Sequence, residues 1–302
     1  MAMDLNLLTL FTAVAECGNF RAAADRLGVT RSAVSQGVQR LEETLEQPLF
    51  RRTTRSVRLT EEGERLLQAV SNPLAEINAA LESAQSATGA PHGLLRVTAT
   101  SIAERFLSGP LITSFVEAYP GITFDVTVND EEFDIVAAGY DAGVRLGEVI
   151  ERDMVAVPLT GEQRQVAVAT PGYLERHGVP RRPRDLAEHR CIGWRPAFDT
   201  APYRWEFERD GRAFDMAVEP QVTTNDMLVM LRTSLAGGGI TFGIEETFQP
   251  YIERGELVTL LDDWLPPFTG FYLYFPSRRS VTPKLRALIE HVRKYRDIGP
   301  QA

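Results

Sequence analysis

The chain has 302 residues, of which 44% are hydrophobic and 24% charged, and these proportions are ordinary for a globular protein with room for two domains. The sequence lacks the long apolar run of a membrane span and the charged leader of a secreted protein, so we expect a cytoplasmic protein. The net charge of −9 conceals an asymmetry: residues 1–60 carry eight arginines against six acidic residues, a formal +2, which leaves −11 on the remainder. A basic head on an acidic body permits DNA binding without establishing it.

Three short helices are predicted at the amino terminus. Asp4 is suited to cap the first, residues 19–27 form the second, and Thr30 caps a third that runs to about residue 45. One face of the third helix is an apolar stripe made by Val34, Val38, Leu41 and Leu45. Its opposite face is polar and consists of Arg31, Ser32, Ser35, Gln36 and Gln39.

The register of these helices is that of a helix-turn-helix. Ala24 is small enough for a close helix crossing, Gly28 follows at the turn, and Val34 is placed to insert between the two helices. A generic three-helix core is the alternative, with less weight. Residues 49–60 follow with four arginines and no acid, and their alternating pattern predicts a β-hairpin with a basic tip, a wing. The apolar anchors of this wing are Leu49, Phe50, Val57 and Leu59.

The run from residue 20 to residue 63 closely resembles the LysR-type transcriptional regulators. The motifs that carry the resemblance, in the family's order, are Arg21-Ala22-Ala23-Ala24, Ser32-Ala33-Val34-Ser35-Gln36, Arg40-Leu41-Glu42, Pro48-Leu49-Phe50 and Leu59-Thr60-Glu61-Glu62-Gly63. A looser resemblance to the family's effector domain lies in Phe133-Asp134-Ile135-Val136 and Tyr140-Asp141-Ala142-Gly143-Val144-Arg145. The resemblance therefore covers the whole chain and implies a regulator of transcription with double-stranded DNA, a small-molecule effector and RNA polymerase as partners.

The resemblance also implies which residues contact DNA. Those facing the major groove would be Thr30, Arg31, Ser32, Ser35 and Gln36. Arg40 would support the phosphate contacts, and Arg52 and Arg55 would lie along the backbone or in the minor groove. Two positions depart from the family pattern. Glu46 replaces a helix-ending glycine, so a differently shaped turn is expected, and Gly37 replaces a longer polar side chain, so one base contact is expected to be missing.

A linking helix is predicted over residues 61–88, after a winged helix-turn-helix domain at 1–60. Its apolar residues recur at spacings of three and four, which is typical of a heptad seam between two copies of a helix: Leu67, Val70, Leu74, Ile77, Leu81 and Ala84. A helix lying on its own domain is the competing interpretation, and Pro73 is expected to kink or disturb the first half. The resemblance favours pairing, in a homodimer or homotetramer. Residues 89–93 look like a hinge.

From residue 94 onward strands alternate with helices, which predicts an α/β domain. Strands are expected at 95–99, 122–128, 142–146, 165–169, 191–194 and 271–275, and helices at 103–118, 226–235 and 283–295. The resemblance implies a two-lobed, periplasmic-binding-protein-like effector domain at 94–302, with the last strand and helix returning to the first lobe. Lobe I would then comprise 94–162 and 268–302, and lobe II 163–267.

Six polar residues at strand or helix ends are candidates for effector binding, since ligands of open α/β sheets sit beyond the strand carboxyl ends. They are Thr100, Ser101, Asn129, Arg145, Asn225 and Asp226. Arg145 together with helix amino termini would suit a carboxylate. Ordinary helix capping is the alternative for Thr100, Ser101, Asn225 and Asp226 and is compatible with ligand binding, and a structural salt bridge accounts equally well for Arg145.

Little in the sequence indicates catalysis or a cofactor. The four histidines (His92, His177, His189 and His291) lack metal-ligand spacing, and Cys17 and Cys191 are best interpreted as small apolar residues. The glycines at 237–239 lack the lysine of a phosphate loop and are expected to end a helix. An enzyme with a DNA-binding head would need a catalytic constellation, and a solute-binding protein would need a leader and no basic head. We therefore expect a ligand-responsive DNA-binding regulator that is not an enzyme.

Overall fold

The structure is a computed structural model that describes residues 4–52, 57–86, 90–136, 138–151, 153–276 and 281–298. Several predicted features lie outside the described residues: the wing tip with Arg55, the side chains of Arg52, Leu81 and Ala84, residues 87–88 of the expected linking helix, and residue 89 of the expected hinge. Within the described ranges, no helix has both the length and the apolar character needed to cross a membrane.

The amino-terminal head contains three helices and a hairpin, as the sequence predicts. Its elements are α1 (Leu5–Cys17), α2 (Phe20–Leu27), α3 (Arg31–Leu45), β1 (Phe50–Arg52) and β2 (Val57–Leu59). The side chains of Asp4, Asn19 and Thr30 accept hydrogen bonds from the first turns of the three helices. Ala24 and Val34 are buried and Gly28 adopts a left-handed conformation, so the helix-turn-helix register is confirmed.

The turn after α3 keeps the usual shape, contrary to the expectation from the sequence. Glu46 itself adopts the left-handed conformation, with φ 54° and ψ 30°, and its backbone N–H bonds to the last turn of α3. A non-glycine residue pays about 1 kcal/mol in steric strain for that conformation. The glutamate therefore costs stability and leaves the path of the chain unchanged.

The linking helix, α4 (Glu61–Ser86), begins where the sequence predicts and continues through Pro73. Thr60 caps it by accepting the N–H of Gly63 at 3.0 Å. Three residues of the predicted seam, Leu67, Val70 and Leu74, are half-buried against the apolar core of the head. Ile77, in contrast, is 41% exposed. The first half of α4 thus contacts its own domain, which agrees with the competing interpretation, and the pairing seam stays a prediction.

Lobe I is built on a five-stranded sheet of order β4-β3-β5-β15-β6, in which β3 is parallel to β4 and β5 while β15 is antiparallel to its neighbours. Its elements are β3 (Gly93–Ala99), α5 (Glu104–Leu107), α6 (Pro110–Ala118), β4 (Ile122–Val128), β5 (Ala142–Leu146), β6 (Met154–Pro158), β15 (Phe271–Pro276) and α10 (Pro283–Ile298). Two corrections concern boundaries. The helix expected at 103–118 is interrupted at Gly109, and Gly93 belongs to a strand instead of a hinge.

Lobe II is built on a second sheet of order β11-β8-β12-β7-β13, and β14 pairs with β7 beside it. Its elements are β7 (Gln163–Ala169), α7 (Pro171–His177), β8 (Cys191–Trp194), β9 (Trp205–Arg209), β10 (Arg212–Met216), β11 (Pro220–Thr224), α8 (Met227–Leu235), β12 (Ile240–Ile244), α9 (Glu245–Glu253), β13 (Val258–Leu260) and β14 (Pro267–Phe268). Strands β9 and β10 form a separate antiparallel hairpin. The sequence pattern did not predict this hairpin or strands β11 to β14.

The chain crosses between the lobes twice, and the two crossings are bonded to each other. The N–H of Phe271 donates to Oγ1 of Thr160 at 3.0 Å, and the carbonyl of Phe271 accepts the N–H of Leu159 at 2.9 Å. Gly270 has a φ of +83°, and a Cβ there would lie 2.3 Å from the carbonyl oxygen of Gly161. Only glycine fits so close a backbone approach, so the two crossings form a single junction between the lobes.

The carboxyl-terminal helix returns to lobe I through a buried ion pair. Lys284 is 9% exposed, and its Nζ donates to the carbonyl of Leu94 at 2.5 Å and lies 3.3 Å from Oδ2 of Asp141. The same carboxylate oxygen accepts the N–H of Arg96 at 2.9 Å. Removing either partner would leave the other charge buried without its counter-ion, so this contact fixes α10 on the sheet.

Candidate DNA-binding face and effector pocket

The outward face of α3 carries the residues that the sequence assigns to DNA. Arg31, Ser32, Gln36 and Arg40 are exposed, and Ser35 is half-buried between them. Thr30 has a different contact, because its Oγ1 accepts the N–H of Ala33 and caps the helix. Within the described part of the chain, neither arginine of this face has a carboxylate within ion-pairing distance, so both guanidiniums remain available for an anionic partner.

The wing places like charges side by side. Arg51 lies directly opposite Arg58 across the antiparallel pair, and both are exposed. Like charges at such a position destabilise an isolated hairpin. Oε1 of Glu42 accepts the backbone N–H groups of Leu49 and Phe50 at 2.8 and 3.2 Å, which ties the hairpin to α3. The wing is thus tied to α3 while Arg51 and Arg58 face solvent.

Gly37 lies on the buried side of α3 and not on the face that would meet DNA. A Cβ at this position would come within 2.2 Å of Cδ1 of Leu10 and 3.6 Å of Cδ2 of Leu7, both on α1. The expectation that Gly37 removes a base contact is therefore corrected. A side chain here would enter the α1–α3 interface, and its absence allows the two helices to pack closely.

A cavity of about 790 Å³ lies between the two lobes. Lobe I contributes the carboxyl ends of its parallel strands, with Thr100 after β3, Asp130 after β4 and Arg145 near the end of β5. Lobe II contributes Trp194 at the end of β8 and Phe242 on β12. The pocket therefore sits where open α/β sheets bind ligands, and each lobe supplies part of its wall.

The lobe II wall is aromatic. The Trp194 and Tyr203 rings meet edge to face with centroids 6.3 Å apart, and the Tyr203 and Phe242 rings stack at 6.4 Å. Met227 and Ile244 add aliphatic surface beside them. Burial raises the pKa of Tyr203 far above its usual range, so its hydroxyl stays protonated. Such a wall suits a ligand with an apolar or aromatic body.

Arg145 and Thr100 both line the pocket, but Arg145 has contacts within the protein whereas the Thr100 hydroxyl has no partner among the described residues. Nη2 of Arg145 donates to the carbonyl of Glu131 at 2.8 Å, and its guanidinium lies about 6 Å from the rings of Phe133 and Tyr274. The Arg145 side chain thus has local contacts in addition to its pocket face. Oγ1 of Thr100 is buried and has no hydrogen-bond partner among the described residues. An unpaired buried hydroxyl at a pocket wall is suited to bond a ligand.

The other four candidates lie behind the wall or in turns. Nε1 of Trp194 donates to Oγ of Ser101 and to the carbonyl of Asn225, both at 3.3 Å, so these two residues orient the indole. Asp226 caps α8 by accepting the N–H of Leu228 at 2.7 Å. Asn129 accepts the N–H of Glu131 at 2.9 Å and shapes the turn after β4. The contacts of Asp226 are therefore those of a helix cap, which is the alternative that the sequence offers for this residue.

The charge of the lining is mixed. One guanidinium, that of Arg145, faces a set of carboxylate residues consisting of Asp130, Glu131, Glu132 and Asp199. Burial raises the pKa of Asp130, although its Oδ1 accepts the N–H of Ser101 at 2.7 Å. This balance gives no preference for a carboxylate ligand, which was the expectation from Arg145 alone.

Sequence reasoning missed Asp130, Trp194, Tyr203 and Phe242 as pocket residues. Asp130 follows a predicted strand and Trp194 ends one, so the rule that ligands lie beyond strand ends could have identified both. Phe242 lies on a strand that the pattern did not predict, and Tyr203 lies in an irregular segment. Nothing in the local sequence marks either of these two as a neighbour of Trp194.

Two family models match the chain. The model described as bacterial regulatory helix-turn-helix protein, lysR family, matches residues 5–64, and the LysR substrate binding domain matches residues 88–297. The chain belongs to the LysR family. It is a LysR-type transcriptional regulator with a helix-turn-helix DNA-binding domain and an effector-binding domain, and the family consists of regulators and not of enzymes.

Relatives and solved structures agree with this assignment. A putative transcriptional regulator of Pseudomonas aeruginosa is 41% identical over 98% of this chain and 97% of its own, and the regulator YcaN of Escherichia coli, itself uncharacterized, is 35% identical over 97% and 96%. The full-length structure of AphB from Vibrio cholerae, 24% identical, covers 97% of this regulator and 100% of its own chain with a TM-score of 0.64. The structure of CrgA from Neisseria meningitidis, 29% identical, covers 97% of this regulator and 99% of its own chain, with a TM-score of 0.59.

Replacing Gly37 tests its place in the head. Gly37→Gln is expected to lower stability by about 2 kcal/mol, because the amide must be buried between α1 and α3. Gly37→Ala is the control, since Leu10 can move its terminal methyl group and alanine favours the helix by about 1 kcal/mol. Thermal unfolding of both variants measures the difference. Wild-type stability with altered sequence preference in Gly37→Gln would instead place residue 37 on the DNA-binding face.

Proposed function

We propose that this regulator reads its operator with the exposed face of α3 and contacts the flanking phosphates with its wing. The single observation that carries this proposal is the face formed by Arg31, Ser32, Ser35 and Gln36, which leaves the apolar side of α3 for the core. Bidentate arginine and glutamine contacts to base edges are the commonest means of direct readout. Arg40, Arg52 and Arg55 would hold the backbone, and this assignment stays a prediction.

We further propose that a small-molecule effector binds in the pocket between the lobes. The aromatic wall of Trp194, Tyr203 and Phe242 would hold its body, and the unpaired Thr100 hydroxyl would bond one polar group. Binding of a ligand carboxylate at Arg145 stays a prediction. The carboxylates of the pocket lining would repel such a ligand, so they weigh against it. Ligand binding that favours one lobe arrangement would shift the population of head arrangements, and hence operator binding or bending.

Assembly and location complete the proposal. Ile77, exposed in the middle of α4, supports pairing of two chains through the second half of that helix. Whether a dimer or a tetramer forms, and whether RNA polymerase is contacted, stay predictions. We place the regulator in the cytoplasm, where its operator would be accessible.

The DNA contacts are tested on an operator obtained by genome-wide mapping of occupied sites. Arg40→Ala should weaken binding to all sequences and reduce the slope of log affinity against log salt by about one, because one phosphate contact is lost. Arg31→Ala should cost about 1–3 kcal/mol and relax preference at one base pair. Fluorescence anisotropy over a salt series measures both, with the exposed lobe II arginine variant Arg232→Ala as control. Wild-type affinities and slopes for Arg31→Ala and Arg40→Ala would contradict the assignment of α3.

The pairing is tested by placing a charge on the exposed part of α4. Ile77→Asp should reduce the molar mass measured by light scattering, because a buried carboxylate opposes helix pairing. Val179→Asp, which changes a 59% exposed valine of lobe II in the same way, should leave the mass unchanged. An Ile77→Asp variant with the full wild-type mass would exclude pairing at this position.

The pocket is tested by two matched threonine variants. The hydroxyls of Thr98 and Thr100 are both buried without a partner among the described residues, but only Thr100 lines the pocket. Once a thermal-shift screen of metabolites has found an effector, Thr100→Val should weaken its binding about fivefold or more without loss of stability. Thr98→Val should keep the effector affinity. Equal effector affinity in wild type and Thr100→Val, by calorimetry, would remove Thr100 from the site.

A further inference from the structure

Lobe II carries a second concave surface that shares no lining residue with the effector pocket. It is an open groove of about 570 Å³ between the β9–β10 hairpin, the segment after α7 and the turn after β13. Arg182 and Arg184 come from the segment, Arg209, Phe214 and Met216 from the hairpin, and Trp264 from the turn. We call these six residues the arginine groove.

The charge of the arginine groove is opposite to that of the whole chain. Residues 176–184 include four arginines and a histidine without any acidic residue, in a protein of net charge −9. Within the part of the chain that the structure describes, Arg182, Arg184 and Arg209 have no carboxylate within 4 Å. All three are exposed, so their charges are available to an outside partner.

One carboxylate of the groove and one of the arginine segment have other hydrogen bonds. Asp215 also lines the groove, but it accepts two bonds from the guanidinium of Arg204 at 2.8 and 3.2 Å, and this pairing holds its pKa below the usual range. Asp185 accepts the backbone N–H groups of Arg181 and Arg182, each at 2.9 Å. The backbone hydrogen bond from Arg181 is the main cause that lowers the pKa of Asp185, and the charges of Arg184 and Arg182 add to it. Asp185 therefore fixes the path of the arginine segment, and neither of these guanidiniums is within 4 Å of its carboxylate.

The floor of the groove is apolar and partly preorganised. The guanidinium of Arg209 lies 4.8 Å from the centre of the Trp264 ring, which is a cation–π contact. The Phe214 ring meets the same indole edge to face at 6.1 Å, and Phe214 is still 41% exposed. An aromatic floor with an arginine rim is the composition of energetic hot spots in protein–protein interfaces.

A depression of opposite charge borders the groove on the far side of Arg209. It has a volume of about 350 Å³ and is lined by Glu208, Asp210, Asp262 and Asp263. A continuous phosphate backbone would be repelled at this border, whereas a short acidic segment can end before it. The groove is also open to solvent, unlike the enclosed sites that small molecules need for high affinity.

We propose that the arginine groove binds an acidic segment of a partner protein. Carboxylates of the segment would pair with Arg182, Arg184 and Arg209, and an apolar side chain would pack against Trp264 and Phe214. Bidentate arginine–carboxylate pairs would set the orientation, and the acidic depression would fix the direction in which the segment leaves the groove. This surface shares no residue with the DNA-binding face or with the lining of the effector pocket.

The test selects ligands without assuming the partner. A phage library of random twelve-residue peptides is panned on the full-length regulator, with depletion on the double variant Arg182→Glu/Arg184→Glu. The expected result is enrichment of peptides that combine several acidic residues with an aromatic or large aliphatic residue. No enrichment, or enrichment of peptides without net negative charge, overturns the proposal.

The enriched peptide is then synthesised with a fluorescent label and titrated by anisotropy. Arg209→Glu and Trp264→Ala should each weaken binding about tenfold or more, as expected for central interface residues. Arg212→Glu, on the same hairpin but outside the groove, should change the affinity less than twofold. Equal losses in Arg212→Glu and Arg209→Glu would show a non-specific charge effect and overturn the proposal.

Two further measurements on the double variant exclude other occupants. Its molar mass and its affinity for operator DNA should equal those of the wild type, because the groove serves neither self-association nor DNA binding. A lower molar mass would make the groove an interface between copies of this chain. A weaker operator complex would make it a DNA-contacting surface, and either result overturns the proposal.

Discussion

The junction between the two crossings is the constraint on which the effector domain depends. Thr160 and Phe271 bond the outgoing and returning segments to each other, and Gly270 allows their backbones to touch. Both crossings meet at one place, and a second contact between the lobes lies beside the cavity, where Nε1 of Trp194 donates to Oγ of Ser101 at 3.3 Å. The strand ends of lobe I and the aromatic wall of lobe II face each other across that cavity. A ligand that bridged the two walls, as proposed for the effector, would favour one angle between the lobes.

Close packing has a similar consequence in the head. Val34, Val38 and Leu41 are fully buried, and Gly37 brings α1 so near that nothing larger fits without displacing Leu10. Since one side of α3 is committed to this core, its polar residues can only face outward. Glu42 extends the same rigidity to the wing. The outward polar face, which we propose reads the operator, is thus a by-product of how tightly the opposite side is packed, and this would tie specificity to stability.

Local features were predicted from the sequence and distant ones were not. Ala24, Gly28 and Val34 lie within eleven positions of one another, so a spacing rule identified the helix-turn-helix. Thr100 and Arg145 followed from the rule on strand ends. Phe242 and Tyr203 approach Trp194 only after β8, β12 and β7 have paired, and no local pattern encodes that order. The apolar stripe of α4 has the same limit, because periodicity marks Leu67 and Leu74 as buried without naming the surface that buries them.

Charge is distributed over this regulator by surface and not by domain. The head is basic where α3 and the wing face outward, the pocket between the lobes is lined by carboxylates and one arginine, and the arginine groove is basic within an otherwise acidic lobe. At physiological salt, charges more than about 8 Å apart on the surface are largely screened, so each of these surfaces selects its partner by its own local field. Screening would therefore let the basic surface of the head meet DNA despite the net charge of −9, and would let the proposed acidic segment approach lobe II.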